Sequence, residues 1–301
     1  MDENERLAAR FEEHRVRLRA VAYRMLGSLA EADDAVQDTW LRLSRSGASE
    51  VENLGGWLTT VVARVCLNLL RTRKVRREDL FGVHLPDPII SPDGELQPEA
   101  EAVLADSVGL ALLIVLDTLA PAERLAFVLH DMFELPFEEI APMVGRTPVA
   151  ARQLASRARH RVKGAALPTP DPDLARQREV VDAFFLATRG GDFDALVALL
   201  DPEVELRIDA GTGRATASLA VHGGAAVAKQ ALTGLSSAIA HPAVHLSPAL
   251  VNGAAGVVVA ARGRPIAVIG FTVIDGKIVE IGAIADPERV PGIAGAFRFD
   301  D

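Results

Sequence analysis

Six Arg or Lys and no Asp or Glu fall within residues 146–164, RTPVAARQLASRARHRVKG, of a chain with 41 acidic and 32 basic residues. On a helical projection, small and apolar side chains form one face of this segment, and the opposite face carries Gln153, Ser156 and Arg157. Arg and Gln can hydrogen-bond to base edges in a DNA groove, while further cations neutralise phosphates. The segment therefore predicts DNA recognition.

The residues before this segment favour that interpretation over a solvated basic helix. Residues 137–144 predict a short helix that ends in a turn at Gly145. A second helix then begins with Thr147 as N-cap and Pro148 as its first residue. This order is the layout of a helix-turn-helix.

Two further clusters have binding chemistry, each with a structural alternative. In EADDAVQDTWLRL, residues 31–43, carboxylates and Gln37 crowd one side of a predicted helix, which suits either a partner surface or a solvated face. The predicted helix 57–77 begins with Trp57 and ends in a dense basic run. Aromatic rings and cations hold single-stranded nucleic acid, but a basic helix end also suits the helix dipole. From the residues alone, both alternatives stay open.

No residue spacing predicts a metal or cofactor site. The seven His are scattered, and Cys66 is the single cysteine, so we expect a buried structural thiol. No apolar run reaches the length of a membrane-spanning helix, and the N-terminal segment lacks the apolar core of a signal peptide. We expect a soluble cytoplasmic protein with no metal, no cofactor and no membrane partner.

Length and turn residues predict a multi-domain chain. The expected boundaries are residues 1–80 and 99–164 for two helical domains, 81–98 and 165–175 for Pro-rich linkers, and 176–301 for an α+β domain. In the last domain, two apolar runs separated by Asp275-Gly276 predict a β-hairpin.

Three segments together resemble a known family. AYRMLGSLAEADDAVQDTWLRL, NLGGWLTTVVARVCLNLLRTRKVRRE and LAPAERLAFVLHDMFELPFEEIAPMVGRTPVAARQLASRAR are similar to regions 2 and 4 of bacterial sigma factors of the extracytoplasmic-function (ECF) class. The resemblance covers residues 6–164, and the third segment, in its order after the other two, is a specific match. It implies two all-α sigma domains that bind core RNA polymerase and promoter DNA.

The resemblance gives each cluster a role. The acidic helix would bind the clamp helices of the largest polymerase subunit through Asp34, Gln37, Asp38 and Trp40. The following loop and helix would open the −10 element and capture a flipped base, with Asn53, Leu54, Arg64, Asn68, Arg71 and Arg76 as candidates. The helix-turn-helix would read the −35 duplex through Arg146, Thr147, Arg152, Gln153, Ser156 and Arg157.

A second resemblance concerns the C-terminal domain. REVVDAFFLATRGGDFDALVALLDPEVEL looks like the opening helices of a SnoaL-like domain, an α+β cone with a curved sheet around a pocket. One ECF subgroup carries such a domain, and FGVHLPDPI resembles that subgroup's linker motif. DAGTGR and ADPERV stand where the subgroup has Asp-Gly-Gly-Gly and Asn-Pro-Asp-Lys-Leu. The resemblance implies regulation of the sigma domains, with linker and regulatory contacts at Leu85, Pro86, Asp87, Pro88, Asp209, Arg214, Asp286 and Pro287.

Two other functions remain alternatives at this point. A one-component regulator would join the helix-turn-helix to a small-molecule sensor, and a SnoaL-like isomerase or cyclase would use Asp209, His222 or His245 for proton transfer. Residues 1–166 hold 21 Lys and Arg against 25 Asp and Glu, so this part should bind free DNA weakly. That balance favours a non-enzymatic promoter-specificity factor that relies on polymerase. A small-molecule ligand of the C-terminal pocket stays open.

Overall fold

The computed structural model describes residues 3–46, 53–77, 83–92, 110–165, 170–211, 218–295 and 297. The chain divides into two compact units, residues 1–79 with 111–167 and residues 80–110 with 168–301. The first unit is helical, and the second contains a mixed β-sheet with helices. The expected fold class, helical domains followed by an α+β domain, is confirmed.

In the sequence, the helices of the first unit precede and follow residues 80–110, which belong to the second unit. They are α1 (Glu3–Leu26), α2 (Leu29–Ser46), α3 (Leu54–Arg77), α4 (Leu110–Thr118), α5 (Pro121–Phe127), α6 (Phe137–Val144) and α7 (Pro148–Gly164). A π-helical turn, Val128–Met132, follows α5. Gly27 ends α1 with a φ of 70°, a conformation that glycine adopts without steric cost.

Buried arginine side chains connect the two halves of the first unit. Arg124 of α5 is 1% exposed, and its Nε donates to the carbonyl of Arg24 in α1 at 3.1 Å. A second nitrogen of Arg124 bonds Asp117 at 3.2 Å.

Cys66 of α3 is fully buried, and burial raises the pKa of its thiol to about 12, as expected for a structural cysteine.

The helix-turn-helix forms as predicted. Helix α6 ends at Gly145, whose φ of 67° is left-handed and whose N–H bonds the carbonyl of Ala141. Thr147 then caps α7, since its hydroxyl accepts from the N–H of Ala150 at 3.3 Å. Pro148 is the first helical residue, where its missing N–H has no cost.

The second unit is built around a seven-stranded sheet in the described residues. Its strands are β1 (Ile90–Pro92), β2 (Leu200–Asp209), β3 (Leu219–His222), β4 (Val244–Val251), β5 (Ala254–Ala261), β6 (Arg264–Ile274) and β7 (Lys277–Ile284), in the order β1-β4-β5-β6-β7-β2-β3. Its helices are α8 (Leu174–Gly190), α9 (Phe193–Leu199), α10 (Gly224–Gln230), α11 (Ser236–Ile239) and α12 (Val290–Ile293), with a π-helical turn at Ala231–Leu235.

Strand pairing in this sheet is antiparallel except between β2 and β7, which are parallel. The β6–β7 turn places Asp275 and Gly276 at positive φ, which confirms the predicted hairpin. Phe184 and Phe185 of α8 pack edge-on against Phe271 of β6 at centroid distances of 5.5 and 5.8 Å. The core of this unit therefore lies between α8 and one face of the sheet.

Two kinds of feature are absent from the described residues. No described helix combines the length and the apolar character needed to cross a membrane. The same residues contain no group of three or more His, Cys, Asp and Glu placed to hold a metal ion.

Gly256 of β5 provides a test of the sheet packing. A Cβ at this position would lie 2.4 Å from a methyl carbon of Val251 and 2.7 Å from the carbonyl oxygen of Ile269. Because the carbonyl cannot move without disturbing β6, Gly256→Ala should lower the free energy of unfolding by about 1–3 kcal/mol. Gly190→Ala in α8 meets no atom within 4 Å and serves as the control. Urea unfolding monitored by circular dichroism measures both variants. Equal urea midpoints for the two would contradict this packing.

Candidate nucleic-acid interface and linker-binding site

Helix α7 has one buried and one exposed face. Ala151, Ala155 and Ala158 are fully buried against the other helices of the first unit. On the other side Arg152 and Gln153 are exposed, and Ser156 is half-buried. Arg146 and Thr147, in the turn before the helix, are also exposed. The small alanines let α7 pack closely, so that its polar side is presented to solvent.

The carboxylate of Glu123, whose side chain is 8% exposed, fixes the middle and end of α7. It accepts from the Nε of Arg157 at 2.8 Å and from a terminal nitrogen of Arg161 at 2.9 Å. Arg159 binds Asp131 at 2.5 Å. Removing one partner of a buried ion pair leaves an uncompensated charge, so these arginines also hold the fold. Arg157, expected to contact DNA, thus has a structural bond, although its side chain remains 57% exposed.

Arg152 lies at the first turns of α7 and contacts an aromatic ring. Its guanidinium carbon is 5.4 Å from the centroid of Phe137, the first residue of α6. The contact orients the side chain while leaving Arg152 exposed. An oriented guanidinium presents its donors in a fixed plane, which suits a guanine edge or a phosphate.

The acidic helix α2 has a buried apolar side and an exposed polar side. Ala32, Val36 and Leu43 are buried, whereas Asp34 and Gln37 are exposed. The other two expected contact residues also have partners within the unit. Asp38 bonds Arg42 at 2.9 Å, and the ring of Trp40 packs against Phe11 at 5.2 Å.

Helix α3 presents a polar stripe along its length. Arg64, Asn68 and Arg71 are exposed and recur at intervals of four and three residues, so they share one side. Asn53 is exposed and caps the helix, because its Oδ1 accepts from the N–H of Gly56 at 2.9 Å.

Two expected contacts on α3 differ from this pattern. Leu54 is 4% exposed and packs inside the unit, so its side chain does not reach a base in this arrangement. An apolar residue directly after a cap serves the core more readily than a solvent loop. The side chain of Arg76 lies outside the described part of the chain, and so do residues 47–52, which come before Asn53.

The segment 84–92, expected to be a linker, packs as part of the second unit. Strand β1 pairs antiparallel with β4, with Ile90 opposite Val251. Just before it, the N–H of Ile89 donates to Oδ1 of Asn252 at 2.8 Å, and the N–H of Asn252 donates back to the carbonyl of Ile89 at 2.7 Å. Leu85 is 1% exposed. Residues 84–92 are called the strap below.

Arg289, which follows the sheet, joins the strap to β2. Its guanidinium donates to Asp87 from Nε at 2.9 Å, to Asp209 at 2.6 Å and to the carbonyl of Leu85 at 2.6 Å. Asp87 and Asp209 are 5% and 2% exposed. Two buried carboxylates need a cation, and Arg289 supplies one with several parallel donors.

Asp209 stays ionised in this network. Burial would raise the pKa of its carboxyl, but hydrogen bonds from His84 and from the backbone N–H groups of Leu85 and Gly211, with the charge of Arg289, hold the pKa well below its usual range. The N–H of Leu85 donates to it at 2.9 Å, and that of Gly211 at 3.0 Å. An acid this firmly ionised is unsuited to shuttling a proton near neutral pH.

The structure brings together most of the residues expected to form the linker contact. The N–H of Leu85 donates to Asp209, and Asp87 and Asp209 both accept from Arg289. Asp286 lies beside the turn after β2, where a Cβ on Gly211 would be 2.6 Å from its carboxyl carbon. Pro86 and Pro88 are buried, Pro287 is exposed, and Arg214 lies outside the described residues.

The sequence did not identify Arg289 as a site residue, and His84, although part of the linker motif FGVHLPDPI, was not among the expected contacts. The signal for Arg289 was that Asp87 and Asp209, once both were placed in the contact, required a cation, and ADPERV contains one. His84 lies 3.2 Å from Asp209 through Nδ1.

A groove of about 570 Å³ opens between α8 and the strands β4 and β5. Its lining is mainly apolar and includes Phe185, Leu186, Leu246 and Val257, with Asp182 and Arg189 among the lining residues. None of Asp209, His222 and His245, the proton-transfer candidates, lines it. His222 instead lies 3.1 Å from Glu203 on the exposed surface.

Comparison with known proteins identifies similar sequences for both helical parts. A family model of sigma-70 region 2 matches residues 10–76, and a model of sigma-70 region 4 matches residues 110–162. The first match contains α2 and nearly all of α3, and the second contains the helix-turn-helix.

Full-length relatives extend the likeness to the second unit. The chain is 39% identical over 291 residues to the ECF RNA polymerase sigma factor SigJ of Mycobacterium tuberculosis, covering 94% of this chain and 92% of that protein. It is 34% identical over 293 residues to the probable ECF RNA polymerase sigma factor SigI of the same organism, covering 96% and 97%. The crystal structure of M. tuberculosis SigJ matches with a TM-score of 0.72 at 35% identity, over 95% of this chain and 98% of that one.

The strap should detach when Asp209 loses its charge. Asp209→Asn removes charge-assisted bonds from Arg289, so amide exchange in residues 84–92 of the full chain should accelerate about tenfold. Glu203→Gln, an exposed carboxylate on the same strand, is the control.

The pH dependence of this protection follows from the pKa of Asp209. Because the folded pKa of Asp209 is depressed, its contribution to holding the strap is complete above its unfolded pKa of about 4 and is lost only as pH falls further. After correction for intrinsic exchange, the part of the protection that Asp209 supplies should therefore be constant between about pH 5 and 8. Equal exchange in both variants would contradict the contact.

Proposed function

The chain belongs to the ECF RNA polymerase sigma factors, and we propose that its described surfaces divide the work of promoter recognition between them. The observation that carries the proposal is the helix-turn-helix, which presents an exposed polar face on α7 above three fully buried alanines. In such motifs the second helix enters the major groove.

The −35 element would be read by α7 and the −10 element by α3. Arg146, Thr147, Arg152, Gln153 and Ser156 are accessible for the first contact. Arg157 would contribute only through the nitrogens that Glu123 leaves available, so its main effect is on the position of α7. Asn53, Arg64, Asn68, Arg71 and Arg76 remain the proposed −10 residues, and Leu54 would support them from the core.

Core polymerase would bind the exposed acidic side of α2. Asp34 and Gln37 are accessible, and Asp38 and Trp40 lie on the same helix near them. The clamp helices of the largest subunit are the proposed partner. The cytoplasm, where core polymerase acts, is the proposed location.

The second unit would modulate this activity through the strap. The strap connects the two sequence segments of the first unit, and its contacts with Asp209, Asn252 and Arg289 attach it to the sheet. A change in the sheet that releases the strap would lengthen the free connection between those segments.

A small molecule in the groove beside α8 would be one such influence. An apolar ligand would contact Leu186 and Leu246, and Asp182 or Arg189 would orient a polar group. Catalysis is not part of the proposal, since Asp209 is held in the strap network and lies outside the groove.

Reconstituted transcription tests the proposed function. Purified protein is mixed with bacterial core polymerase, and promoters are selected from a DNA library with a randomised upstream region. We expect a stable complex and initiation from an enriched sequence family. Absence of both the complex and the enriched family would overturn the proposal.

The polymerase surface can be tested by one charge reversal. Asp34→Lys places a cation on the exposed side of α2 and should weaken binding to core polymerase at least tenfold, as expected for a lost interface charge contact. Glu179→Lys makes the same charge change at an exposed position of α8 and should leave binding unchanged. Titration of labelled core polymerase measures both. Equal affinities would exclude Asp34 from the interface.

A further inference from the structure

Val149 is an exposed apolar residue at the DNA-reading end of α7. It follows Pro148 as the second residue of the helix, and its side chain is 64% exposed. Single exposed apolar residues are common on protein surfaces, so exposure alone has little meaning. The contacts made by the other side chains of α7 decide what Val149 can do.

Most guanidiniums of α7 are already engaged. Arg157 and Arg161 share the buried carboxylate of Glu123, and Arg159 binds Asp131. Pulling these arginines into a DNA groove would break bonds to buried or half-buried carboxylates. Base reading by the arginines of α7 is therefore confined to Arg152, in the first two turns of the helix.

Val149 and Gln153 lie together in those turns. They are four residues apart, so they share a side of the helix at a separation of about 6 Å along its axis. Base pairs are stacked about 3.4 Å apart, so the two side chains reach positions within two steps of each other. Thr147 caps the helix and Pro148 restricts its first turn, which gives Val149 a fixed position.

The major groove offers one apolar group to an aliphatic side chain. That group is the C5 methyl of thymine, whereas the other base edges present hydrogen-bond donors and acceptors. We propose that Val149 packs against a thymine methyl in the −35 element and thereby selects thymine at that position. The inference rests on the proposed function, since it requires α7 to enter the −35 groove.

Deoxyuridine substitution tests this contact at the level of one methyl group. Holoenzyme of the full chain binds a promoter selected as above, with each −35 thymine replaced in turn by deoxyuridine, which preserves base pairing. At one position the replacement should weaken wild-type binding about fourfold, the effect of one buried methyl group. Val149→Ala should bind the thymine and deoxyuridine promoters equally.

A matched variant controls for general effects. Val16→Ala removes the same atoms from an exposed valine of α1 and should retain the fourfold difference. The inference fails if the selected −35 element contains no thymine, if no deoxyuridine position matters, or if Val149→Ala keeps the discrimination. Loss of polymerase or promoter binding by the wild-type protein would instead overturn the proposed function. A weaker polymerase complex of Val149→Ala without DNA would assign Val149 to a protein surface and overturn the inference.

Discussion

The guanidinium of Arg289 holds the one arrangement on which the organisation of the chain depends. It bonds two buried carboxylates, Asp87 and Asp209, and the carbonyl of Leu85. Without that cation, burial of both carboxylates would be strongly unfavourable, and the strap would remain exposed to solvent instead of packing on the sheet. Because the strap is bound, the chain leaves the first unit at residue 79, adds an edge strand to the sheet, and returns at residue 111. The second unit therefore includes the segment that connects the two sigma regions.

A second buried charge plays a comparable part in the first unit. Glu123 binds Arg157 and Arg161 and so fixes which side of α7 faces solvent. The basic character of α7 then has two meanings. Its later arginines hold the helix in the fold, and Arg152, Gln153 and Val149 of its first turns are exposed, as the proposed recognition requires. The whole chain is acidic, with 41 Asp and Glu against 32 Lys and Arg, which favours weak binding to free DNA.

The sequence predicted the features that depend on local chemistry. Gly145, Thr147 and Pro148 specify a helix end and a helix start within four residues, and Asp275-Gly276 specifies a hairpin turn. The family resemblance then supplied the order of the sigma regions, which the family models for regions 2 and 4 confirm. The polar candidate residues on α7 and α2 lie on accessible faces. The sequence predicted this because amphipathic periodicity identifies the buried face of a helix directly.

The remaining features depend on residues far apart in the chain. Strand β1 has three residues and ends in proline, so it lacks the length and alternation that mark a strand, and its partner lies about 160 residues later. The bond between Arg157 and Glu123 spans 34 residues, and that between Arg289 and Asp87 spans 202. The burial of Leu54, a candidate for the −10 contact, was not predictable for a similar reason, since it depends on how α3 packs. Helical periodicity alone does not contain such information.

Transcription by Arg289→Ala tests the central claim, that attachment of the strap to the sheet controls sigma activity. The variant is compared with wild type and with Arg264→Ala, which removes an exposed arginine at the start of β6. Each is assayed with saturating core polymerase on the same selected promoter. The account predicts that Arg289→Ala changes transcript yield at least about fivefold, the size of a typical coupling between sites, while Arg264→Ala matches wild type. Wild-type yield from Arg289→Ala, with the strap shown to be released by amide exchange, would contradict it.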